Sequence, residues 1–327
     1  MRHLAYALLV SASLLGQGVV QQAPKVEPGF PSYAPSVQVD GTLESIGADS
    51  LADVWEEWRV AFRGAQPKVQ FKINHVPVSQ AIKTFLEGGA ALIHLPREMK
   101  VDEFQAFQKK FSYQPIKLVV CYDAFIVFVN AGNPISVLGM DQLDAAYSST
   151  KLAGYRSEAQ VETWGDMGAR GGDFARRPIN AYMRAEGLAS RATIQEMVLL
   201  KGKYKPTVKE CADWSGIAEA VMTDAAGIGI GTLSNWLTRN KTLALMPLQS
   251  KEAVPPTQEN VVSGKYPLSR TYYLYLNRAP GVTLPPVVTE FLQFVLSREG
   301  QLAVAQATLF PVPMEIAQLN RKRLRAN

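Results

Sequence analysis

Apolar residues fall at helical spacing in some stretches of the chain and at alternate positions in others, and the two patterns take turns. Thr42–Ile46 predicts a short strand that runs into Gly47-Ala48-Asp49-Ser50. Leu51, Val54, Trp55, Trp58 and Phe62 then share one face of a helix. Ser50 followed by Asp53 has the S-x-x-D form of a capping box and predicts the helix start at that turn. Val69, Phe71 and Ile73 alternate as a second strand, and Val78, Ala81, Ile82, Phe85 and Leu86 make a second amphipathic helix that Gly88-Gly89 ends. Ala91–His94 predicts a third strand, and Val101, Phe104, Phe107 and Phe111 a third helix. Alternation of this kind implies an α/β lobe with a largely parallel sheet.

Ile116–Val129 is the longest apolar stretch beyond the N-terminal leader, and Asp123 sits in its middle. Two strands meeting at Asp123, or one strand passing between lobes, both fit that pattern. Beyond it, helices are predicted around Asp141–Tyr147 and Leu188–Leu200, with strands at Ile179–Tyr182 and Gly227–Ile230. The chain returns through Leu243–Pro247 and the alternating Tyr272, Leu274 and Leu276. It closes with helices over Pro286–Leu296 and Gln301–Ala307. No internal repeat is visible.

The ends and the composition add a compartment. Arg2 and His3 precede an apolar run from Leu4 to Leu15, with small and polar residues up to Ala23, the form of a secretory signal peptide over 1–23. That run is too short for a membrane span, which needs about 20 residues. The expected mature protein is therefore periplasmic or secreted, with cleavage near Ala23. Residues 24–40 hold several prolines and no periodicity, and predict a linker. The rest exceeds the size at which one core usually keeps growing, so two lobes are expected. A hydrophobic fraction of 47% with 19% charged residues is that of a globular protein. The formal charge of +5 falls to +4 once Arg2 leaves with the leader, a balance compatible with an anionic ligand. The tail at 321–327 carries Arg321, Lys322, Arg323 and Arg325 and reads as a solvated helix end, since no nucleic-acid motif accompanies it. Cys121 and Cys211 are the only cysteines. Export permits a disulfide between them, and the sequence alone leaves that pairing open.

Several segments resemble the PstS-like phosphate-binding proteins of phosphate ABC transporters. They are EGGAALIHLPREM (Glu87–Met99), DAFIVFVNAGNP (Asp123–Pro134), ETWGDMG (Glu162–Gly168) and INAYMRAEGLASRATIQE (Ile179–Glu196). AAGIGIGTLS (Ala225–Ser234), GKYPLSRTYYLYLN (Gly264–Asn277) and EFLQFVLSREGQ (Glu290–Gln301) continue the series in the same order. The resemblance implies a two-lobed periplasmic-binding-protein fold of type II, α/β in class. Each lobe would be a mixed sheet flanked by helices, and two hinge strands would join the lobes. The expected division is 41–123 in the first lobe, 124–235 in the second and 236–320 back in the first. Ligand would lie in an interlobe cleft where helix N-termini gather, closed by hinge motion.

Carried over position by position, the resemblance implies an anion site at Ser50, Ser79, Arg97, Asp123, Arg184 and Ser190. In three loops the sequence departs from the family pattern. A Gly-Ser-Gly run is replaced by Pro77-Val78-Ser79, which removes an N–H donor and a hydroxyl. Ser-Arg becomes Pro96-Arg97, and Ser-Gly-Thr becomes Leu188-Ala189-Ser190. The expected function is an exported binding protein for phosphate or another small oxyanion, acting as a monomer that delivers to an ABC permease. The alternative is a PstS-like module with a degraded or re-targeted site and an interaction or sensing role. Neither His75 nor His94 has metal-ligand spacing, no Gly-x-Ser-x-Gly element occurs and no nucleotide loop appears, so no cofactor, no metal and no catalysis are expected.

Overall fold

The computed structural model describes residues 23–156, 159–234 and 239–325. The leader, residues 1–22, lies outside them. The chain forms two compact α/β units. One, here the terminal unit, holds Ala23–Asp123 and the chain from Arg270 onward; the other, the inserted unit, holds Ala124–Ser269. Among the described residues no helix is long and apolar enough to cross a membrane.

The terminal unit begins with β1 (Gly41–Gly47), α1 (Ala52–Ala65), β2 (Val69–His75), α2 (Val78–Glu87), β3 (Leu92–Leu95) and α3 (Val101–Phe111). β1 pairs in parallel with β2 on one side and β3 on the other. The expected start of α1 at Ser50 is not observed. Asp49–Leu51 forms a 3-10 turn, and the helix begins at Ala52 without a side-chain cap. The tight turn occupies Ser50 itself, so the S-x-x-D box has no helix end to cap. Gly88 ends α2 in the left-handed conformation (φ +81°), as its position after the helix predicts.

β4 (Ile116–Val129) is a single strand and belongs to both units, Asp123 being its last residue in the terminal one. In the inserted unit follow β5 (Val137–Gly139), α4 (Met140–Tyr147), β6 (Asn180–Arg184), α5 (Ala189–Met197), β7 (Lys209–Cys211), α6 (Trp214–Thr223) and β8 (Gly227–Thr232). β9 (Lys241–Thr242), β10 (Ala244–Met246) and α7 (Gln258–Val262) complete it. β6 lies between β7 and β8, parallel to both, while β8 and β9 run antiparallel to the second half of β4. β5 and β10 form a separate parallel pair. These pairings hold 239–269 to the inserted unit, so the return falls at Arg270 rather than at 236. Two buried aromatics tie this unit's helices and loops to its sheet. Tyr147 donates to the carbonyls of Tyr182 and Ile228, both at 3.1 Å, and Trp164 Nε1 to Ala226 O at 3.0 Å.

Back in the terminal unit come β11 (Ser269–Leu276), α8 (Pro286–Val295), α9 (Arg298–Gln306), β12 (Phe310–Pro311) and α10 (Met314–Arg325). β11 runs antiparallel to β3, and β12 to β4 at Cys121 and Tyr122. Successive residues of a strand point to opposite faces, and the core divides accordingly. Leu92 packs with α1 and α8 through Trp55, Trp58, Phe62 and Phe291, while Ile93 packs with α2 and α3 through Phe85 and Phe107. Trp55 stacks on Phe291 with centroids 5.2 Å apart.

Two expected surface segments are built into this unit. The Pro-rich stretch 24–40 is no free linker, since Phe30 and Val39 are buried. Tyr33 packs on Phe62 and Phe294, and its hydroxyl donates to the buried Glu290 at 2.7 Å. The basic tail is helical through Arg325, and Arg323 Nη1 donates to Lys117 O at 3.0 Å. Arginines there satisfy backbone carbonyls of neighbouring segments, which spacing alone does not reveal. Cys121 is buried and Cys211 half-buried, and both are free thiols, one in each unit.

Candidate functional site

In the terminal unit the strand ends assemble one group of predicted residues. β1, β2 and β3 point the same way, and their register sets Gly47 opposite His75 and His94. The loops that carry Ser50, Ser79 and Arg97 therefore leave neighbouring carboxyl ends, the edge where open α/β sheets place ligands. Ser50 is exposed in the 3-10 turn, and Ser79 is exposed as the second residue of α2. Pro77 takes the N-cap position of α2, a place where its missing N–H removes a donor that no helical carbonyl would have used.

Arg97 is half-buried and already holds a carboxylate. Its Nη1 and Nη2 donate to the two oxygens of Glu103 at 2.8 and 2.7 Å, a bidentate pair, and Nη1 also reaches Glu98 O at 2.8 Å. Glu103 in turn accepts Lys100 N–H at 2.7 Å across the first turn of α3. The Arg97 guanidinium and that N–H hold the Glu103 carboxyl below its ordinary range, against the opposing effect of burial.

Behind these loops lies His94, fully buried. Its Nδ1 is 2.8 Å from Ser45 Oγ, and its ring meets His75 and Trp55 edge-on. Burial lowers its pKa to about 3, so the ring is neutral. Gly47 passes so close that a β-carbon there would stand 1.9 Å from His94 O and 2.6 Å from the ring. The loop carrying Ser50 can leave β1 at this point only because residue 47 has no side chain.

Asp123 and Arg270 mark the two places where the chain changes unit. Both belong to the terminal unit, and they form an ion pair with side chains only 3% and 10% exposed. Tyr272 donates to the same Asp123 oxygen at 2.8 Å. Asp123 and Tyr272 favour the charged form of the Arg270 guanidinium in a site where burial opposes it. Arg270 is accordingly raised above the ordinary arginine range despite its burial. Sequence reasoning grouped Asp123 with the anion ligands and missed Arg270 and Tyr272. The signal was present in the SRTYYLYL run, where both residues stand in one strand at the i, i+2 spacing of a shared face.

The inserted unit gathers the other two positions. Arg184 ends β6 beside Cys211, the last residue of β7. Its guanidinium lies over the Trp214 ring, 4.8 Å from the centroid, and its Nε is buried without a hydrogen-bond partner. Trp214 opens α6, whose N-cap Asp213 accepts Gly216 N–H at 2.7 Å. Ser190 is the second residue of α5 and half-buried. The neighbouring Arg191 turns away from solvent. It donates to Arg184 O at 2.6 Å, pairs with Glu210 at 3.0 Å and stacks on Tyr204. Four of the six predicted positions thus fall in the terminal unit and two in the inserted one. The cation–π support from Trp214 is the contribution that spacing did not announce. Among the described residues no cluster of His, Cys, Asp or Glu could hold a metal ion.

Comparison with known proteins gives a consistent answer. The family model described as PBP superfamily domain matches residues 33–299. A protein of Pseudomonas aeruginosa named phosphate-binding protein PstS is 34% identical over 309 residues, 94% of this chain and 95% of that one. Among solved structures, a possible phosphate-binding protein from Planctomyces limnophilus aligns with a TM-score of 0.67 at 19% identity, covering 88% of this chain and 99% of its own. A Clostridium perfringens protein, described as a putative phosphate ABC transporter substrate-binding protein with bound phosphate, aligns with a TM-score of 0.59 at 23% identity. That match covers 84% of this chain and 100% of its own.

Proposed function

This chain belongs to the PBP superfamily, as a PstS-like member with a type II fold, and from that premise we propose that it is the phosphate receptor of an ABC-type uptake system. It is exported by its N-terminal leader, works as a monomer outside the cytoplasmic membrane and hands its ligand unchanged to a permease. The observation that carries this reading is Arg184. It keeps a buried guanidinium nitrogen without a partner at the carboxyl end of a parallel strand, where an oxyanion would supply the missing acceptor. Ser190 lies in the first turn of α5, in the same unit as Arg184.

Titration calorimetry of the mature protein tests the reading. Phosphate should bind one to one, and Arg184→Met should weaken it at least about tenfold, the loss of one charge-assisted contact. Absence of any heat with phosphate would remove the assignment. One observation favours a second reading, in which the site is re-targeted and the protein senses or docks. Glu103 takes both terminal nitrogens of Arg97, so this cation has its anion within its own unit. On that reading phosphate gives no signal, and Arg97→Ala alters partner capture instead.

A further inference from the structure

A cavity of about 590 Å³ lies inside the terminal unit and shares no residue with the loops described above. Its walls are the N-terminal arm at Tyr33, the segment after β11, the outer side of α8 and the end of α10. β11 is antiparallel to β3, with Leu276 opposite Leu92. Arg278, two residues beyond β11, therefore emerges at the edge opposite the carboxyl ends of β1, β2 and β3.

Three arginines, Arg278, Arg321 and Arg325, line this cavity, and among the described residues no acidic side chain does. Arg278 is 9% exposed. Its Nη1 donates to Leu324 O at 2.9 Å, while Nε and Nη2 are buried without partners. Arg321 donates to the Leu296 carbonyl, and among the described residues it forms no ion pair. Burial lowers both guanidinium pKa values, and the charge of Arg325 adds to the effect on Arg321. The carboxylates on the far side of Tyr33 accept from neutral donors, Glu290 from Tyr33 and Ser36 and Glu299 from the Tyr33 N–H, and among the described residues neither forms an ion pair with these arginines. An unmatched buried cation is expensive unless an anion joins it. The remaining wall mixes the apolar Val282, Leu284, Leu292 and Leu296 with Thr283, Thr289 and Gln293, and the volume is that of a small-molecule site.

We propose that this cavity is a second ligand site, for a small organic anion with an oxyanion head on the three arginines and an apolar body against α8. A carboxylate matches the forked guanidinium geometry, and a phosphate monoester offers the same acceptors.

The test uses the full mature chain with hexanoate, hexyl phosphate and inorganic phosphate, read by calorimetry and by protein NMR. Hexanoate or hexyl phosphate should bind one to one whether or not inorganic phosphate is present in excess, and whichever binds tighter identifies the head group. Arg278→Met should weaken that binding at least about tenfold, the cost of one charge-assisted pair, and leave the response to inorganic phosphate unchanged. Should that variant fold poorly, the exposed Arg325→Gln and the cavity-filling Thr283→Trp give the same readout. The proposal is overturned if neither amphiphile binds, if inorganic phosphate displaces them, or if binding survives the variants undiminished. Because the amphiphiles are tested with and without inorganic phosphate, failure of this site and failure of the phosphate reading give different results.

Discussion

Replacing Asp123 by asparagine should destabilise the terminal unit by about 3–5 kcal/mol, the range found when one partner of a buried ion pair is removed. The structure sets the size of the effect. Asp123 and Arg270 are nearly inaccessible, at 3% and 10% of their side-chain surface. At an effective dielectric constant of about 20, two unit charges about 4 Å apart attract by about 4 kcal/mol. Asparagine keeps the shape and can still accept the Tyr272 hydroxyl, so the substitution isolates the charge. Arg270 cannot shed its proton and would remain a buried cation without its main counter-charge. The double replacement Asp123→Leu with Arg270→Met removes both charges and should recover to within about 2 kcal/mol of the parent. Guanidinium unfolding followed by circular dichroism gives the totals. Hydrogen exchange at β1 and β3, compared with β6 and β8, assigns the loss to its unit. An Asp123→Asn cost under about 1 kcal/mol would refute the reasoning, because the pair would then be solvated in practice. A double variant as unstable as the single one would refute it too, since packing rather than charge would be at stake.

Two further outcomes follow from the His94 pocket. Gly47→Ala should lower stability by about 1–3 kcal/mol or more, the cost of forcing atoms into a filled site, because the new β-carbon meets the His94 carbonyl; unchanged thermal unfolding would show that the approach is looser. His94 has a folded pKa of about 3 against about 6.5 unfolded, so below pH 6.5 only the unfolded chain takes up this proton and stability falls as pH drops toward 3. Between pH 7.5 and 5.5 the fall should be about 1–2 kcal/mol, measured by urea unfolding, and His94→Gln should flatten that slope; an equal slope in the variant would assign it to other groups.

The strands and helices that pack into one sheet were readable because their signal is local. Leu51, Val54, Trp55, Trp58 and Phe62 share a helical face whatever lies opposite them, and Val69, Phe71 and Ile73 alternate for the same reason. Misreadings arose where a long-range partner decides. Lys241–Thr242 and Ala244–Met246 are too short to show a period, and only pairing with β4 and β5 keeps them in the inserted unit. Tyr33 among prolines looks like an exposed aromatic until Glu290, distant in sequence, receives its hydroxyl. Ser50 has the residue type of a cap, yet the chain spends it in a 3-10 turn.

Two of the three altered loops lie in the unit whose Arg97 already has a counter-charge, and the third, Leu188-Ala189-Ser190, lies in the inserted unit. Sequence marks Arg97 and Arg184 alike as anion ligands, and Arg191 is a second cation close to the latter. In the structure Arg97 is bound bidentately by Glu103, and Arg191 is held by Glu210 and by the Arg184 carbonyl. Arg184 alone of the three has a buried nitrogen left unpartnered and an aromatic face beneath it. A guanidinium fixed against Trp214 loses little freedom on meeting an oxyanion, whereas Arg97 would first have to release a charge-assisted pair. The hydroxyl and glycine losses at Pro77-Val78 and Pro96 fall in the same unit as the neutralised Arg97. On the proposed phosphate reading, Arg184→Met should therefore reduce phosphate binding far more than Arg97→Met does.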